Sequence, residues 1–185
     1  MRLFFGISLP ESVRQSISAR AAACQARIPG RYVREENYHI TLAFLGSVSE
    51  ERLDDVQSVL HRCISNLPAP QLVLGKTDFF GRAQNAILIA RVHSFPSLDP
   101  LHDLLIRSLE AQSLPFDPGP FSPHITLARH AQIEDVPLPA GDGQSFVPSC
   151  AHLYLSARNE QDILTYTPIS SVSFAQNSFD SGKLF

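Results

Sequence analysis

The run His39-Ile40-Thr41-Leu42-Ala43 occurs a second time, residue for residue, as His124-Ile125-Thr126-Leu127-Ala128. The two histidines stand 85 positions apart, close to half of a 185-residue chain. Five identical residues in order point to an internal repeat. Each copy reads as a β-strand, in which residues i and i+2 share a face. His39 and Thr41 then look one way, as do His124 and Thr126, while the Ile and Leu between them enter a core. If a pseudo-twofold relates the copies, two imidazoles and two hydroxyls face one another across a groove, around one small anion.

Outward from the repeat, residues 38–45 form a strand that Gly46 should stop, and residues 124–129 form its counterpart after Ser122-Pro123. Residues 3–9 read as a buried strand. Pro10 opens a helix with Val13, Ile17, Ala21 and Cys24 at helical spacing. A second helix begins at Ser49-Glu50-Glu51 with the apolar stripe Leu53, Val56, Val59, Leu60 and Cys63. Residues 71–80 and 85–93 suggest a hairpin, and a third helix near Pro100 sets Leu101, Leu104, Leu105 and Leu109 on one face. Residues 115–120, rich in Pro and Gly, cannot be regular, and residues 133–148 read as a long surface loop. Final strands are expected at residues 153–156 and 167–174, then a loose tail at residues 176–183. Neither a dinucleotide-binding glycine pattern nor a P-loop is present. The pattern predicts an α+β domain, its strands in small sheets with helices packed outside.

Hydrophobic residues make up 44% of the chain and charged residues 18%, enough to bury a core and unlike a disordered chain. With a net charge of −3 and a pI near 6.1, the chain advertises no broad basic face for gripping a long duplex. A nucleic-acid substrate would be small, or touched mainly at one end. Cys24, Cys63 and Cys150 are scattered and odd in number, which argues against a disulfide framework or a thiolate zinc site and for reduced thiols. His61, His93, His102, His130 and His152 show no metal-ligand spacing, and His61 and His102 are expected on helix surfaces. The apolar start is too short for a secretion signal, and no stretch approaches a membrane span. The expectations are a cytoplasmic monomer, a single domain over residues 1–185, and no cofactor, metal or membrane.

At the paired His-x-Thr-x motifs, His39-Ile40-Thr41-Leu42 and His124-Ile125-Thr126-Leu127, the chain resembles the 2H phosphoesterases. Within them it is similar to the bacterial RNA 2′,3′-cyclic phosphodiesterases, also called 2′-5′ RNA ligase-like proteins. Arg2-Leu3-Phe4-Phe5, Leu9-Pro10, Phe44-Leu45-Gly46, Pro123, Leu153-Tyr154-Leu155-Ser156 and Tyr166-Thr167-Pro168 agree with it, so the likeness spans nearly the whole sequence. The resemblance implies a bilobal α+β fold, two pseudo-symmetric lobes of antiparallel strands flanking a central groove. It also implies opening of terminal 2′,3′-cyclic phosphates to 2′-phosphates on RNA 3′ ends or small cyclic nucleotides. Making or cleaving 2′-5′ linkages is an alternative within the family; a non-catalytic module that caps RNA ends is an alternative outside it. The segment Ser156-Ala157-Arg158-Asn159-Glu160-Gln161-Asp162 is less basic than in many related proteins, which argues against tight grip on long RNA.

The chemistry suits two histidines. One imidazole can take a proton from water while the other gives one to the departing oxygen, because histidine titrates near pH 6.5. His124 is assigned as base and His39 as acid, although a pseudo-symmetric site could run either way. Thr41 and Thr126 would hold the phosphate. The resemblance further implies that Phe44 stacks on a base and Arg129 pairs with phosphate oxygens. Strict alternation would turn both away from the histidines, so a bend after Ala43 and Ala128 is required. The competing readings are a core aromatic and a solvated surface charge.

Overall fold

The computed structural model describes residues 1–133 and 136–175. Its first half runs β1 (Arg2–Ser8), α1 (Glu11–Gln25), β2 (Arg31–Tyr32), β3 (His39–Ser47) and α2 (Leu53–Ile64). It continues through the hairpin β4 (Gln71–Arg82) and β5 (Asn85–Phe95), then α3 (Asp99–Ala111), β6 (His124–Ala131), β7 (Ser145–Phe146), β8 (Cys150–Arg158) and β9 (Leu164–Ser173). The fold is α+β, as the pattern of the sequence predicts.

The helices form where the apolar spacing places them. Pro10 lacks an N–H, so it suits the residue that opens α1, and Val13, Ile17, Ala21 and Cys24 are all buried. In α2 the buried face is Val56, Val59, Leu60, Cys63 and Ile64. In α3 it is Leu101, Leu105 and Leu109; Leu104, expected beside them, is 37% exposed because the strict i, i+4 row runs past it.

The strands pair in the order β7-β4-β5-β6-β3-β1-β8-β9, with β2 added on β6. The expected small sheets are therefore two four-strand runs joined edge to edge. The join is one antiparallel pair, Ile40 of β3 opposite Ile125 of β6. Beyond it β3 and β6 separate, and β2 takes the vacated edge of β6, with Arg31 opposite Arg129 and Tyr32 opposite Ala128. Leu3, Phe5 and Ile7 face the helices within the main core, and so do Ile40, Leu42, Ile125 and Leu127. The other face of the sheet lines the groove.

Three details depart from the sequence reading. Gly46 does not stop β3, which continues to Ser47; with φ of 71° it lies beside a bulge, since Leu3 pairs with Gly46 but Phe4 with Phe44. Within residues 133–148, Ser145 and Phe146 form a short strand on β4. Pairing also lengthens the strand expected at residues 153–156 to Cys150–Arg158 and starts the one expected at residues 167–174 earlier, at Leu164, which lies opposite Arg158. The tail expected at residues 176–183 lies outside the described residues. No helix among the described residues is long and apolar enough to cross a membrane.

Candidate active site

His39 and His124 each stand one residue before the single pair that joins the sheet. About that antiparallel pair, His39 comes opposite Thr126 and Thr41 opposite His124. All four lie on the groove face and are half-buried. Neighbouring strands lie about 5 Å apart and like-facing residues about 7 Å along a strand, so the four side chains bound a space of anion size.

The two imidazoles are held alike. His39 Nδ1–H donates to the carbonyl of Asn37 at 2.7 Å, and His124 Nδ1–H donates to the carbonyl of Ser122 at 2.7 Å. In both copies the acceptor lies two residues upstream. That bond fixes the neutral tautomer and leaves Nε2 as the reactive nitrogen. The copies differ at that atom: the Thr41 hydroxyl donates to His39 Nε2 at 3.1 Å, and no corresponding bond joins Thr126 to His124.

The supports behind the carbonyls also differ. Asn37 is buried; its Nδ2 donates to the Leu164 carbonyl at 2.8 Å and its Oδ1 accepts from Tyr166 N–H at 3.1 Å. Aromatic rings wrap His39: Phe4 at 4.7 Å, Tyr166 edge-on at 5.0 Å and Tyr154 at 5.9 Å between centroids. Behind Tyr154, His152 bonds Ser8 and Ser171 through its two ring nitrogens. On the other side Phe80 meets His124 edge-on at 5.0 Å. Arg91 lies over the Phe80 ring, donates to Ser122 Oγ at 2.9 Å and pairs with Asp78 at 3.0 Å.

Burial among these groups lowers both histidines. His39 is brought down to about 4, chiefly by loss of solvent; its bond to the Asn37 carbonyl opposes this, and charge on His124 and Arg129 adds to it. His124 is lowered by burial first, then by Arg91 and Arg129, against its bond to the Ser122 carbonyl. Arg129 thus acts on both imidazoles.

Phe44 and Arg129 reach the groove face through matching bulges. In β3, Thr41 pairs with Gly6 and Ala43 with Phe5, which leaves Leu42 as an extra residue. In β6, Thr126 pairs with Ile89 and Ala128 with Leu88, which leaves Leu127 extra. Each bulge shifts the alternation by one, so the pairs Leu42-Ala43 and Leu127-Ala128 are both buried and the next residue swings back beside the histidine. Phe44, 43% exposed, lies against Phe4 at 5.7 Å, the ring that also contacts His39. The required bend is this bulge. The bulged carbonyls are satisfied in parallel: Leu42 O accepts from His102 Nδ1–H at 2.8 Å, and Leu127 O accepts from Val33 N–H at 2.8 Å. His102, expected on the surface, is instead clamped by this bond and by stacking on Phe121 at 4.3 Å.

Asn37, Arg91, Phe80 and His102 escaped the sequence reading. The signal for Asn37 and Ser122 was their shared place two residues before each histidine, hidden because the bond uses a carbonyl that any residue carries. Among the described residues no cluster of three or more His, Cys, Asp or Glu could hold a metal ion.

A paired-histidine groove on a split antiparallel sheet, with sequence likeness to match, sets the class: the chain belongs to the 2′-5′ RNA ligase superfamily, whose sequence pattern matches residues 10–138. The RNA 2′,3′-cyclic phosphodiesterase of Escherichia coli (strain K12) is 32% identical to it over 179 residues, 95% of this chain and 97% of that one. Among solved structures, TT0787 of Thermus thermophilus matches with a TM-score of 0.81 and 28% identity over 96% of this chain and 100% of that one. LigT of E. coli complexed with 3′-AMP matches with a TM-score of 0.79 and 30% identity over 95% and 98%.

Proposed function

We propose that this chain hydrolyses terminal 2′,3′-cyclic phosphates on RNA ends or nucleotides to 2′-phosphates, with His39 and His124 as its acid–base pair. The observation that carries the reading is the antiparallel juxtaposition of two His-x-Thr copies about Ile40 and Ile125, each imidazole tethered at Nδ1 and presenting Nε2. The relatives' activity supports the substrate class. In this reading the chain acts as one domain of two pseudo-repeated lobes, a cytoplasmic monomer that meets RNA 3′ ends or small cyclic nucleotides.

Water attacks phosphorus and gives its proton to His124 Nε2, whose lone pair is free of a hydroxyl partner. The P–O3′ bond breaks as His39 Nε2–H protonates O3′, leaving a 2′-phosphate and a 3′-hydroxyl. An imidazole near pKa 4 is neutral at pH 7, so His39 must gain its proton when substrate arrives. A phosphate charge about 4 Å away, at an effective dielectric near 20, is worth roughly 4 kcal/mol, or about three pKa units. That raises the His39 pKa toward the working pH, so the imidazole can carry the proton it must give to O3′. Once Nε2 carries a proton it donates instead of accepting, and the Thr41 hydroxyl turns to a phosphate oxygen. Thr126 does the same from the other copy, Arg129 offsets charge on the phosphate, and Phe44 stacks on the terminal base. Both proton transfers are made by imidazoles, and the step calls for no metal.

The test is turnover of a short RNA ending in 2′,3′-cyclic phosphate, with EDTA present. Wild type should leave a 2′-phosphate end, and His39→Ala and His124→Ala should each lose about 10²-fold or more in kcat while remaining folded. A variant with wild-type kcat would sink the assignment. Binding of the 2′-phosphorylated end without conversion of the cyclic one would indicate a capping module.

A further inference from the structure

A cleft of about 320 Å³ opens beside the paired histidines. Asn37 and Tyr166 line it and also hold His39, so the cleft adjoins the site. Four arginines line it, Arg31, Arg34, Arg129 and Arg158, against one carboxylate, Asp162. This is a local concentration of positive charge on a chain of net charge −3. Asp162 answers Arg158 at 3.0 Å, and Glu36 lies 3.6 Å from Arg34 with both side chains exposed. Among the described residues, no carboxylate comes within ion-pair reach of Arg31 or Arg129. Yet these two are directly opposite on β2 and β6. Like charges opposite one another on neighbouring strands destabilise a sheet, and an anion between them reverses the sign.

The arginine pair therefore has an orientation. Arg129 stands five residues after His124 on β6, and Arg31 lies opposite it one strand further out, with about 5 Å between the two backbones. We infer that the part of the cleft beyond Arg129, lined by Arg31 and Arg34, is a second phosphate subsite, which takes the phosphate on O5′ of the nucleoside whose 2′,3′-cyclic phosphate sits at the histidines. The inference rests on the cyclic phosphodiesterase reading above. It makes the protein selective for the phosphorylated chain end over a bare nucleoside cyclic phosphate, while demanding grip on only one nucleotide step.

Three substrates with the same terminal nucleoside test it: a nucleoside 2′,3′-cyclic phosphate, its 5′-phosphorylated form, and a dinucleotide ending in that cyclic phosphate. Wild type should favour the two phosphate-bearing substrates by about tenfold in kcat/KM, the scale of one charge-assisted hydrogen bond. Arg31→Gln, and separately Arg34→Gln, should bring that ratio toward one. Arg31→Gln should also reduce the slope of log(kcat/KM) against log[salt] for the dinucleotide by about 0.7, the loss of one single-strand phosphate contact. A gain for both substrates means that the subsite reads the phosphate itself; a gain for the dinucleotide alone, abolished by Arg31→Gln, means that it requires the diester. A gain for the dinucleotide that survives both variants belongs to the second base and overturns the subsite. Equal kcat/KM for all three overturns the subsite alone, whereas no conversion of any of them overturns the underlying reading as well.

Discussion

His39 and His124 are followed by the same four residues in sequence but have different neighbours in the fold. His39 sits among Phe4, Tyr154 and Tyr166, and its imidazolium is disfavoured until an anion arrives. His124 is lowered too, by burial and then by Arg91 and Arg129. The sign of the pH dependence follows. A negative phosphate favours both imidazolium forms, so both pKa values rise on binding. The profile of kcat/KM reports the free protein and that of kcat the complex. The limbs of the kcat profile should therefore lie at higher pH than those of kcat/KM, which rate measurements between pH 4 and 9 would reveal; coincident limbs would mean that substrate charge does not reach the histidines. At this scale the sequence was legible where side chains do the work, because an identical His-x-Thr in each half is visible. It was silent on Asn37 and Ser122, whose carbonyls orient the rings, because a backbone acceptor leaves no mark on residue identity.

Strands β3 and β6 owe their use to a shared irregularity. Alternation alone predicts that Phe44 and Arg129 face away from the histidines, and both residues would then be misread as core or solvent. The bulges at Leu42 and Leu127 reverse that. They were illegible because Leu-Ala after Thr reads as ordinary apolar strand; only the partner strand, one residue shorter across the same interval, reveals the extra residue. Gly6 stands in that partner strand, opposite Thr41. A Cβ there would lie 3.0 Å from the Ile40 carbonyl oxygen, 3.3 Å from the Tyr154 ring and 3.4 Å from the Phe4 ring. The rings can shift, but the carbonyl moves only if β1 separates from β3 just where His39 and Thr41 are aimed. Gly6→Ala should therefore destabilise the fold by about 1–3 kcal/mol, as overpacking does, and lower kcat in the fraction that remains folded. Denaturant unfolding and active-site-normalised rates would measure both. Full stability with full activity would mean that the β1–β3 contact is softer than its geometry implies.

Across the whole molecule, halves of the sequence are not halves of the structure. One run of strands, β3-β1-β8-β9, is assembled from both chain ends and is underlaid by α2, while the middle of the chain supplies β4, β5 and β6 and borrows α1 from the first half. Arg20 of α1, buried, donates to the Gly75 carbonyl of β4 at 2.7 Å and pairs with Asp142 at 3.2 Å. The repeat announced two strands in one groove, but nothing local announces which helix crosses under which sheet, since that depends on packing between distant segments. The crossing leaves the spacing of the two histidines to a single backbone pair, Ile40 with Ile125, both fully buried. Each isoleucine fills the core directly beneath the join, with a histidine and a threonine on either side of it along the strand. Ile125→Ala should cost about 2–4 kcal/mol, the range for a large-to-small change in a close-packed core. The equally buried Leu60→Ala in α2, remote from the groove, should cost a similar amount. Below their unfolding transitions the two should part: Leu60→Ala should retain wild-type kcat, while Ile125→Ala should lose about ten- to a hundredfold, because a displacement near 1 Å between reacting groups is that damaging. If Ile125→Ala turned over as fast as wild type, the spacing of the imidazoles would have to be set by their Nδ1 tethers to Asn37 and Ser122 rather than by the join of the sheet.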